Sequence, residues 1–319
     1  MTPPTPSNIL IIGATGNIGK YITNQILAAK PPVAHKVSIF TSPATAADPS
    51  KQALLSTWKS QGLAVIEGDL RNADHVTKAY EGVDTVVSAL GRNGLLEQIE
   101  LLKLAEASSS VQWFFPSEYG TDIEYDASSA DEKPHQNKLA VRRFIRENIK
   151  RLQITYVVTG PYIDMFFDLM PGAEAPGGFD PASKKAVVIG SGKEKVGFTS
   201  MPDVGKFVVA ALRHPEVAQG EVLKVQSFVV SPHAILNEFE KQTGTKWTVE
   251  HTPIEKLREQ EKEAWESKKP VATRYTLRRI WAEGKTLYEK TDNERLGVRD
   301  EDLEQLSTVV ERSLKGEEY

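Results

Sequence analysis

The amino-acid sequence predicts an α/β protein with a doubly wound parallel sheet and a smaller C-terminal lobe. Through the first 160 residues, short apolar runs alternate with segments of helical periodicity. This alternation is typical of βαβ units, whose parallel strands are covered by helices on both faces of the sheet. A glycine-rich turn at residues 13–19 joins the first apolar run to the first helical segment. Such a turn between a strand and a helix indicates the Rossmann-type form of this fold.

The predicted strands of the sheet are short apolar runs, and helices are predicted between them. The strands cover residues 8–12, 37–40, 64–67, 83–90, 111–115 and 154–158. The predicted helices repeat apolar residues at intervals of three and four, which places those residues on one buried face. They cover residues 17–29, 51–61, 74–80, 95–107 and 136–148. Each predicted helix follows a predicted strand, as a parallel sheet requires.

The pattern changes after residue 160, which predicts a second structural unit. Residues 171–183 hold three prolines and three glycines, so this segment cannot be regular structure throughout. Further short strands are predicted at 187–189, 198–199 and 220–230, with a helix at 202–212 and mostly charged helices after 233. The domain boundaries predicted from this change are 1–160 for the sheet domain, completed by strands and a helix within 196–230, and 161–195 with 231–319 for the smaller lobe.

The composition excludes several classes of protein. Lys and Arg total 39 against 43 Asp and Glu, for a formal net charge of −4, so the chain lacks the basic surface of a nucleic-acid binder. The absence of cysteine excludes disulfides and thiolate nucleophiles, and it favours a reducing compartment. No apolar stretch approaches the ~18 residues of a membrane span, and the segment MTPPTPSN has no basic residue typical of a secretory signal. We therefore expect a soluble, cytoplasmic protein.

The glycine-rich turn has the spacing of a dinucleotide-binding motif. Gly13, Gly16 and Gly19 recur at intervals of three between a predicted strand and a predicted helix. This spacing allows a tight turn, a close approach of the backbone to a pyrophosphate, and close packing of the helix on the strand. The phosphates would bind at the N-terminus of the helix, where unpaired N–H groups favour negative charge. The alternative is a turn with a purely structural role.

The end of the second predicted strand favours NADP(H) over NAD(H). A carboxylate at this position would bind the ribose 2′-hydroxyl of NAD. Instead, Thr41 and Ser42 follow the strand, and the first acidic residue is Asp48. Hydroxyl groups can bind a 2′-phosphate, and Lys51 is the nearest later cation. The alternative for Lys51 is a solvated lysine in the first turn of a helix.

Several motifs in a fixed order carry a resemblance to a known family. They are GATGNIG at 13–19, Lys51, Gly68-Asp69-Leu70, VDTVVSALG at 83–91, Gln98, FFPSEYG at 114–120, Lys138 with Arg142 and Arg143, and TYVVTG at 155–160. With these motifs the chain resembles the isoflavone reductase-like enzymes, which include phenylcoumaran benzylic ether and pinoresinol reductases, within the NmrA-like group of atypical short-chain dehydrogenases. The resemblance covers roughly the first 165 residues well and the remainder thinly.

The resemblance implies a set of cofactor-binding residues and one catalytic residue. In the family pattern the glycines hold the pyrophosphate, Lys51 reaches the 2′-phosphate, and residues 88–90 line the nicotinamide side of the cleft. The predicted cofactor-binding residues are Gly13, Thr15, Gly16, Asn17, Ile18, Gly19, Thr41, Ser42, Lys51, Ser88, Ala89, Leu90 and Lys138. Lys138 is also the predicted catalytic residue. Family members often carry Arg just after the second strand, where this chain has Ser42, and that difference weakens the predicted cationic contact.

Lys138 lacks the tyrosine that usually accompanies a lysine in short-chain dehydrogenases. That pair needs Tyr four residues before Lys, on the same helical face, and the chain has Pro134 there. Lys138 would therefore act itself, with a pKa lowered by burial, or it would hold the nicotinamide ribose while another group donates. The alternative is a solvated surface lysine. His135 is a second candidate because imidazole titrates near neutral pH.

Other reactive side chains offer weaker signals. Ser117 has no flanking glycines of the nucleophile-elbow type, which argues against hydrolase chemistry. The six histidines show no metal-binding spacing, so no metal site is predicted. An apolar and aromatic wall for the substrate is predicted from the end of the fifth strand and from the segment after the sixth. Its members are Tyr119, Tyr162, Met165 and Phe166.

Together these patterns predict an NADPH-dependent reductase whose partner is a small molecule. Its acceptor would be hydrophobic and aromatic or phenolic, and a ketone, an activated double bond and a benzylic ether all remain open. The alternative is an NmrA-like regulator that senses NADP, performs no reaction and binds a partner protein. Lys138 and its motif context favour the enzyme. The oligomeric state is left open between a monomer and a homodimer.

Overall fold

A six-stranded parallel sheet forms the centre of the first half of the chain in the computed structural model, which describes residues 5–316. Its strands are β1 (Asn8–Ile12), β2 (Lys36–Thr41), β3 (Ala64–Glu67), β4 (Thr85–Ser88), β5 (Trp113–Phe115) and β6 (Gln153–Ile154). Their order is β3-β2-β1-β4-β5-β6, so the chain reverses direction across the sheet between β1 and β4. The predicted doubly wound α/β fold is confirmed. Residues 1–4 and 317–319, at the outer ends of the predicted domains, lie outside the described residues.

Helices cover both faces of this sheet. They are α1 (Gly19–Ala28), α2 (Pro43–Ala47), α3 (Pro49–Ser60), α4 (Ala73–Ala79), α5 (Gln98–Ala107) and α6 (Gln136–Asn148). Short 3₁₀ helices precede α5 at Arg92–Glu97 and α6 at Lys133–His135. The segment after β2, predicted only as a polar connection, folds as α2. Pro43 suits the first turn of a helix, and the Ser42 hydroxyl accepts a hydrogen bond from the Thr45 N–H at 3.1 Å.

The sheet continues beyond β6 through a change of partner. The single strand predicted at 154–158 is divided into β6 and β7 (Tyr156–Val158), because Thr155 lies between the two pairings. β7 pairs in parallel with a strand at Val222–Lys224. The Thr155 hydroxyl also donates to the Ala218 carbonyl at 2.6 Å. A segment from residues 196–230 thus pairs with the strand that follows β6, and the domain boundaries stay a prediction.

The remaining elements form the smaller lobe and its connections. The strands are β8 (Gly178–Asp180), β9 (Lys185–Ile189), β10 (Val196–Phe198), β11 (Val222–Lys224), β12 (Phe228–Val230) and β13 (Thr248–Thr252). The helices are α7 (Ile163–Phe166), α8 (Met201–Arg213), α9 (Pro215–Ala218), α10 (Pro232–Thr243), α11 (Ile254–Glu266), α12 (Ala272–Ala282) and α13 (Leu306–Lys315). β8, β9 and β13 form one sheet, and β10 pairs with β12.

The segment 171–183 is not regular throughout, as predicted: it contains one short strand, β8, which pairs antiparallel with β9. One prediction for this half of the chain was wrong. The single strand predicted at 220–230 is two strands, since β11 joins β7 while β12 joins β10.

No helix within residues 5–316 combines the length and the apolar content needed to cross a bilayer.

Helix α8 packs directly on α1, the helix that follows the glycine turn. Ten residues of α8 are buried, and the contact depends on one of them, Gly205. A Cβ atom at Gly205 would lie 2.5 Å from the Tyr21 carbonyl oxygen, which is closer than real atoms approach. The glycine therefore sets the distance between the two helices, and through α1 it supports the position of the glycine turn.

We predict that Gly205→Ala destabilises the protein by roughly 1–3 kcal/mol, because the added methyl overpacks the α1–α8 contact. In an exposed helix the same change would stabilise by up to ~1 kcal/mol, so the expected sign is opposite to that of helix propensity. Urea unfolding measures the difference. Gly91→Ala is the control, because its added Cβ meets nothing within 4 Å and its φ of −70° suits any residue. Unchanged or higher stability for Gly205→Ala would contradict the packing argument.

Candidate active site

Several predicted site residues follow the carboxyl ends of neighbouring strands of the parallel sheet. In the strand register, Ile12 of β1 pairs with Phe40 of β2 on one side and with Ser88 of β4 on the other. Gly13 therefore leaves the sheet between the ends of β2 and β4. The direction of chain winding changes between β1 and β4, and a crevice at such a point is where ligands bind in open α/β sheets.

The glycine turn fits tightly against β4 and against itself. Gly13 has a φ of +81°, and a Cβ there would lie 2.7 Å from the Ala89 carbonyl oxygen. A Cβ at Gly19 would overlap the Gly13 carbonyl oxygen. Gly16 is exposed, and its N–H donates to the Gly13 carbonyl at 3.0 Å. Two of the glycines are thus required by packing, whereas Gly16 faces the open crevice.

The N-terminus of α1 presents unpaired donors to this crevice. Among residues 5–316, the backbone N–H groups of Thr15, Asn17 and Ile18 donate to no protein acceptor. Ile18 stands at the N-cap position without a side-chain acceptor, and the first turn of α1 contains no acidic residue. Free N–H groups and the positive end of the helix dipole together favour an anion. The turn therefore fits a pyrophosphate.

Hydroxyl groups stand at the end of β2, and the cation Lys51 follows in the first turn of α3. Thr41 is the last residue of β2, and the Ser42 hydroxyl donates to the Thr45 hydroxyl at 3.0 Å. Lys51 lies in the first turn of α3. Asp48 caps this helix, because its side chain accepts a hydrogen bond from the Ser50 N–H. Backbone hydrogen bonding lowers the pKa of Asp48, with a smaller contribution from the charge of Lys51. Part of the Lys51 charge therefore compensates a neighbouring carboxylate.

The ends of β4 and β5 form the other wall of the crevice. The Ser88 side chain is fully buried, and its hydroxyl has no partner within the described part of the chain. The Ser117 hydroxyl donates to the Leu90 carbonyl at 2.7 Å, and the Ser117 N–H donates to Gln98 Oε1 at 2.7 Å. These bonds fix the segment after β5 to the segment after β4. The Ser117 hydroxyl is a donor to the backbone, which explains its presence without nucleophilic chemistry.

Lys138 lies in the first turn of α6 with its ammonium group largely buried. Its Nζ donates a hydrogen bond to the Glu118 carbonyl and lies 3.9 Å from Glu118 Oε2. The side chain is 18% exposed. Burial lowers the pKa of Lys138; the Glu118 carboxylate opposes this effect, while the charges of Arg142 and Arg92 add to it. An ammonium whose pKa is lowered in this way is suited to releasing or accepting a proton.

Sequence reasoning missed the ion pairs that surround Lys138. Arg142 Nε donates to Glu118 Oε1 at 3.0 Å, and both side chains are buried. Arg142 Nη1 also donates to Glu124 at 2.8 Å, and Glu124 accepts from Arg146 at 2.8 Å. The spacing of four residues between Lys138 and Arg142 was a signal for a shared helical face. Nothing local in the sequence indicated which carboxylate would meet them.

His135 is buried in a neutral form. Its Nδ1 lies 3.2 Å from the Ser129 carbonyl, which fits a protonated Nδ1, and its Nε2 has no partner among the described residues. Burial lowers the pKa of His135 to about 4. His135 therefore carries no proton to donate from Nε2 at neutral pH, and the sequence-based alternative to Lys138 is weakened.

The residues predicted to form the substrate wall do not all face the crevice. The Tyr162 hydroxyl donates to the Tyr119 carbonyl, and burial raises the pKa of both phenols. Met165 is exposed, and its Sδ accepts a hydrogen bond from Asn17 Nδ2 of the glycine turn at 3.4 Å. Phe166 instead packs inside the lobe, with its ring centroid 4.8 Å from that of Phe198. Across residues 5–316, no group of His, Asp and Glu side chains is arranged to hold a metal ion.

Comparison with known proteins identifies relatives of this fold and sequence. The model of the NmrA-like family matches residues 5–276. An isoflavone reductase homologue of Solanum tuberosum is 30% identical over 260 residues, covering 79% of this chain and 79% of the homologue. The phenylcoumaran benzylic ether reductase Betv6 of Betula pendula is 30% identical over 253 residues, again covering 79% of each chain.

Solved structures of similar proteins share the whole architecture. A crystal structure of isoflavone reductase superposes with a TM-score of 0.81 at 24% identity, covering 97% of this chain and 100% of the other. The complex of leucoanthocyanidin reductase with NADPH from Vitis vinifera has a TM-score of 0.81 at 19% identity, with the same coverage. At these identities the likeness establishes the fold.

We predict that burial of His135 makes stability depend on pH. Its pKa is about 4 in the folded chain and about 6.5 when unfolded, so the unfolded chain binds more protons between these values. The free energy of unfolding should therefore fall by roughly 3 kcal/mol from this group as pH drops from 6.5 to 4. Denaturant unfolding across that range should show this fall in the free energy of unfolding for wild type. The contribution of this group should be absent in His135→Gln. His35→Gln, at an exposed site, is the control; an equal pH dependence in His135→Gln would refute the assignment.

Proposed function

The chain belongs to the NmrA-like family and to the isoflavone reductase-like group within it, and from this membership we propose that it is an NADPH-dependent reductase. Its substrate would be a small hydrophobic acceptor to which hydride is transferred. The observation that carries the proposal is the placement of two features at one edge of the sheet. Unpaired N–H groups stand at the start of α1, and the buried ammonium of Lys138 stands at the start of α6.

Each part of a bound NADPH molecule would contact its own set of residues in the crevice. The N–H groups of Thr15, Asn17 and Ile18 would hold the pyrophosphate, and Gly16 leaves the space it needs. Thr41, Ser42 and Lys51 would bind the 2′-phosphate, while Ser88, Ala89 and Leu90 would line the nicotinamide side. When bound, NADPH supplies the hydride. Among the structural neighbours, leucoanthocyanidin reductase was solved with NADPH, and another was solved with NADP⁺ and (+)pinoresinol.

Lys138 would donate or accept the proton that accompanies hydride transfer. Reduction of a ketone, an activated double bond or a benzylic ether adds one hydride and one proton to the acceptor. The Lys138 Nζ has one bond to the Glu118 carbonyl, which fixes its position and leaves further N–H groups to face the acceptor. Its lowered pKa makes the proton easier to release than that of a solvated lysine. A regulator that only senses the cofactor has no use for such a group.

The chemical class of the acceptor is proposed from the wall of the crevice and from the relatives. The exposed Met165 offers an apolar surface next to the glycine turn, and the half-buried Tyr162 precedes it by three residues. The curated relatives include phenylcoumaran benzylic ether reductases and a eugenol synthase of Petunia hybrida. We therefore propose an aromatic or phenolic acceptor of phenylpropanoid type. Phe166 stays a prediction for substrate contact, with its ring in the lobe interior.

We predict that Lys51→Ala weakens NADPH binding by roughly 1–2 kcal/mol, the loss of one charge-assisted contact. NADH lacks the 2′-phosphate, so its affinity should stay nearly unchanged. Titration calorimetry with both cofactors measures the difference. Lys59→Ala, at an exposed position of the same helix, is the matched control. Equal losses for NADPH and NADH would remove Lys51 from the 2′-phosphate site.

We predict that Lys138→Ala lowers turnover by ~10²–10⁴, the usual contribution of a positioned acid or base, while NADPH affinity changes only a few-fold. Lys138→Arg should not restore turnover, because guanidinium does not release its proton. Single-turnover oxidation of NADPH, measured by absorbance with a ketone, an activated alkene and a benzylic ether, tests both variants. Arg143→Ala, at an exposed site on the same helix, is the control.

Two results would count against the reductase. Full turnover in Lys138→Ala would remove the lysine from the proton transfer. Wild-type protein that binds NADPH but oxidises it with none of the three acceptor classes would favour the cofactor-sensing regulator.

A further inference from the structure

Glu118, Arg142 and Lys138 form a buried group of three charges, here called the charge triad, between the segment after β5 and helix α6. One Glu118 oxygen accepts from Arg142 Nε at 3.0 Å, and the other lies 3.9 Å from Lys138 Nζ. The side chains of Glu118 and Arg142 are 2% and 3% exposed, and that of Lys138 is 18% exposed. Charges shielded this well from water interact more strongly than charges at the surface.

We propose that Glu118 and Arg142 are positioning residues that together set the pH at which Lys138 exchanges its proton. The inference rests on the proposed function in one respect, the role of Lys138 in moving a proton. Glu118 attracts the ammonium, whereas Arg142 repels it and draws the carboxylate towards itself. Lys138 therefore faces a pair with no net charge instead of a lone carboxylate. Burial can then lower the pKa of Lys138, as the structure indicates.

The backbone geometry fixes the three groups in this relation. Lys138 and Arg142 are one helical turn apart on α6, so both side chains leave the same face of the helix. The Nζ of Lys138 donates to the Glu118 carbonyl. The carboxylate of Glu118 is held by Arg142, and the ammonium is held by the main chain.

The other charged or titratable groups around Lys138 do not replace this pair. Arg92, after β4, adds to the lowering of the Lys138 pKa. His135, just before α6, is neutral near pH 7 because burial lowers its pKa to about 4. Glu124 binds the far side of Arg142 at 2.8 Å. The two carboxylates raise the pKa of Arg142, so its charge is permanent.

Opposite changes are expected when either member of the pair is removed. Glu118→Gln removes the attraction and should lower the pKa of Lys138 by about one unit or more. Arg142→Met removes the repulsion and releases the carboxylate, so the pKa should rise by a similar amount. The double variant loses a neutral pair and should return close to the wild-type value.

The pKa of Lys138 can be measured without any reaction of the enzyme. Acetylation by isotopically labelled acetic anhydride is followed from pH 6 to 11 by mass spectrometry (a range that begins about four units below the usual lysine pKa). The exposed Lys78 serves as the internal reference. Arg143→Met is the matched control for Arg142→Met, since it removes the same charge from an exposed position. Arg142→Lys keeps the charge and should keep the wild-type pKa, even if Arg142→Met does not fold.

Opposite shifts in the two single variants, cancelled in the double variant, would support the proposal. Shifts in the same direction, or none, would overturn it, because a merely structural role gives lost stability without a signed change in pKa. The part of the turnover–pH profile that reflects the ionisation of Lys138 should shift together with the pKa measured by acetylation. If wild type oxidises no NADPH while the labelling shifts appear, the proposed reductase falls and the coupling stands. If turnover is normal and the shifts are absent, the coupling falls alone.

Discussion

The site depends on one close contact, that of the glycine turn with the backbone of β4. Gly13 can leave β1 at a φ of +81° only because no side chain separates it from the Ala89 carbonyl. This contact directs the start of α1 towards the crevice, where its N–H groups remain free for an anion. It also brings the end of β4 beside the end of β1, so the two walls of the crevice are built from adjacent strands. Gly205 supports the arrangement from behind by letting α8 approach α1.

A second constraint is electrostatic and lies on the other side of the crevice. A buried ammonium is costly unless its surroundings compensate it. The chain meets this requirement with a main-chain carbonyl and a carboxylate that is already paired with Arg142. The compensation is therefore partial, and a partly compensated ammonium holds its proton less firmly. The contacts that allow the Lys138 ammonium to be buried therefore also set how readily it releases its proton.

The fold could be predicted to a large extent because its signals are local. Apolar periodicity marks the strands of the first half and its helices other than α2, and the glycine spacing marks the turn between β1 and α1. The division of residues 154–158 between two partners could not be predicted, since it depends on a strand more than 60 residues later in the chain. The pairing of Glu118 with Arg142 joins residues 24 positions apart. The direction of the Phe166 ring could not be predicted for a simpler reason: in a helix as short as α7, the buried face is set by tertiary packing, which no pattern of four residues reveals.

The hydrogen bond between Asn17 and Met165 places an oxidisable thioether beside the glycine turn. The chain contains no cysteine, so an oxidant that enters the crevice finds no thiol there. Met165 presents an exposed thioether at the crevice, with its sulfur already accepting a hydrogen bond from the glycine turn. Oxidation to the sulfoxide would convert an apolar surface into a polar and chiral one. Oxidation of Met165 would therefore alter the surface beside the glycine turn, and a methionine sulfoxide reductase could reverse it.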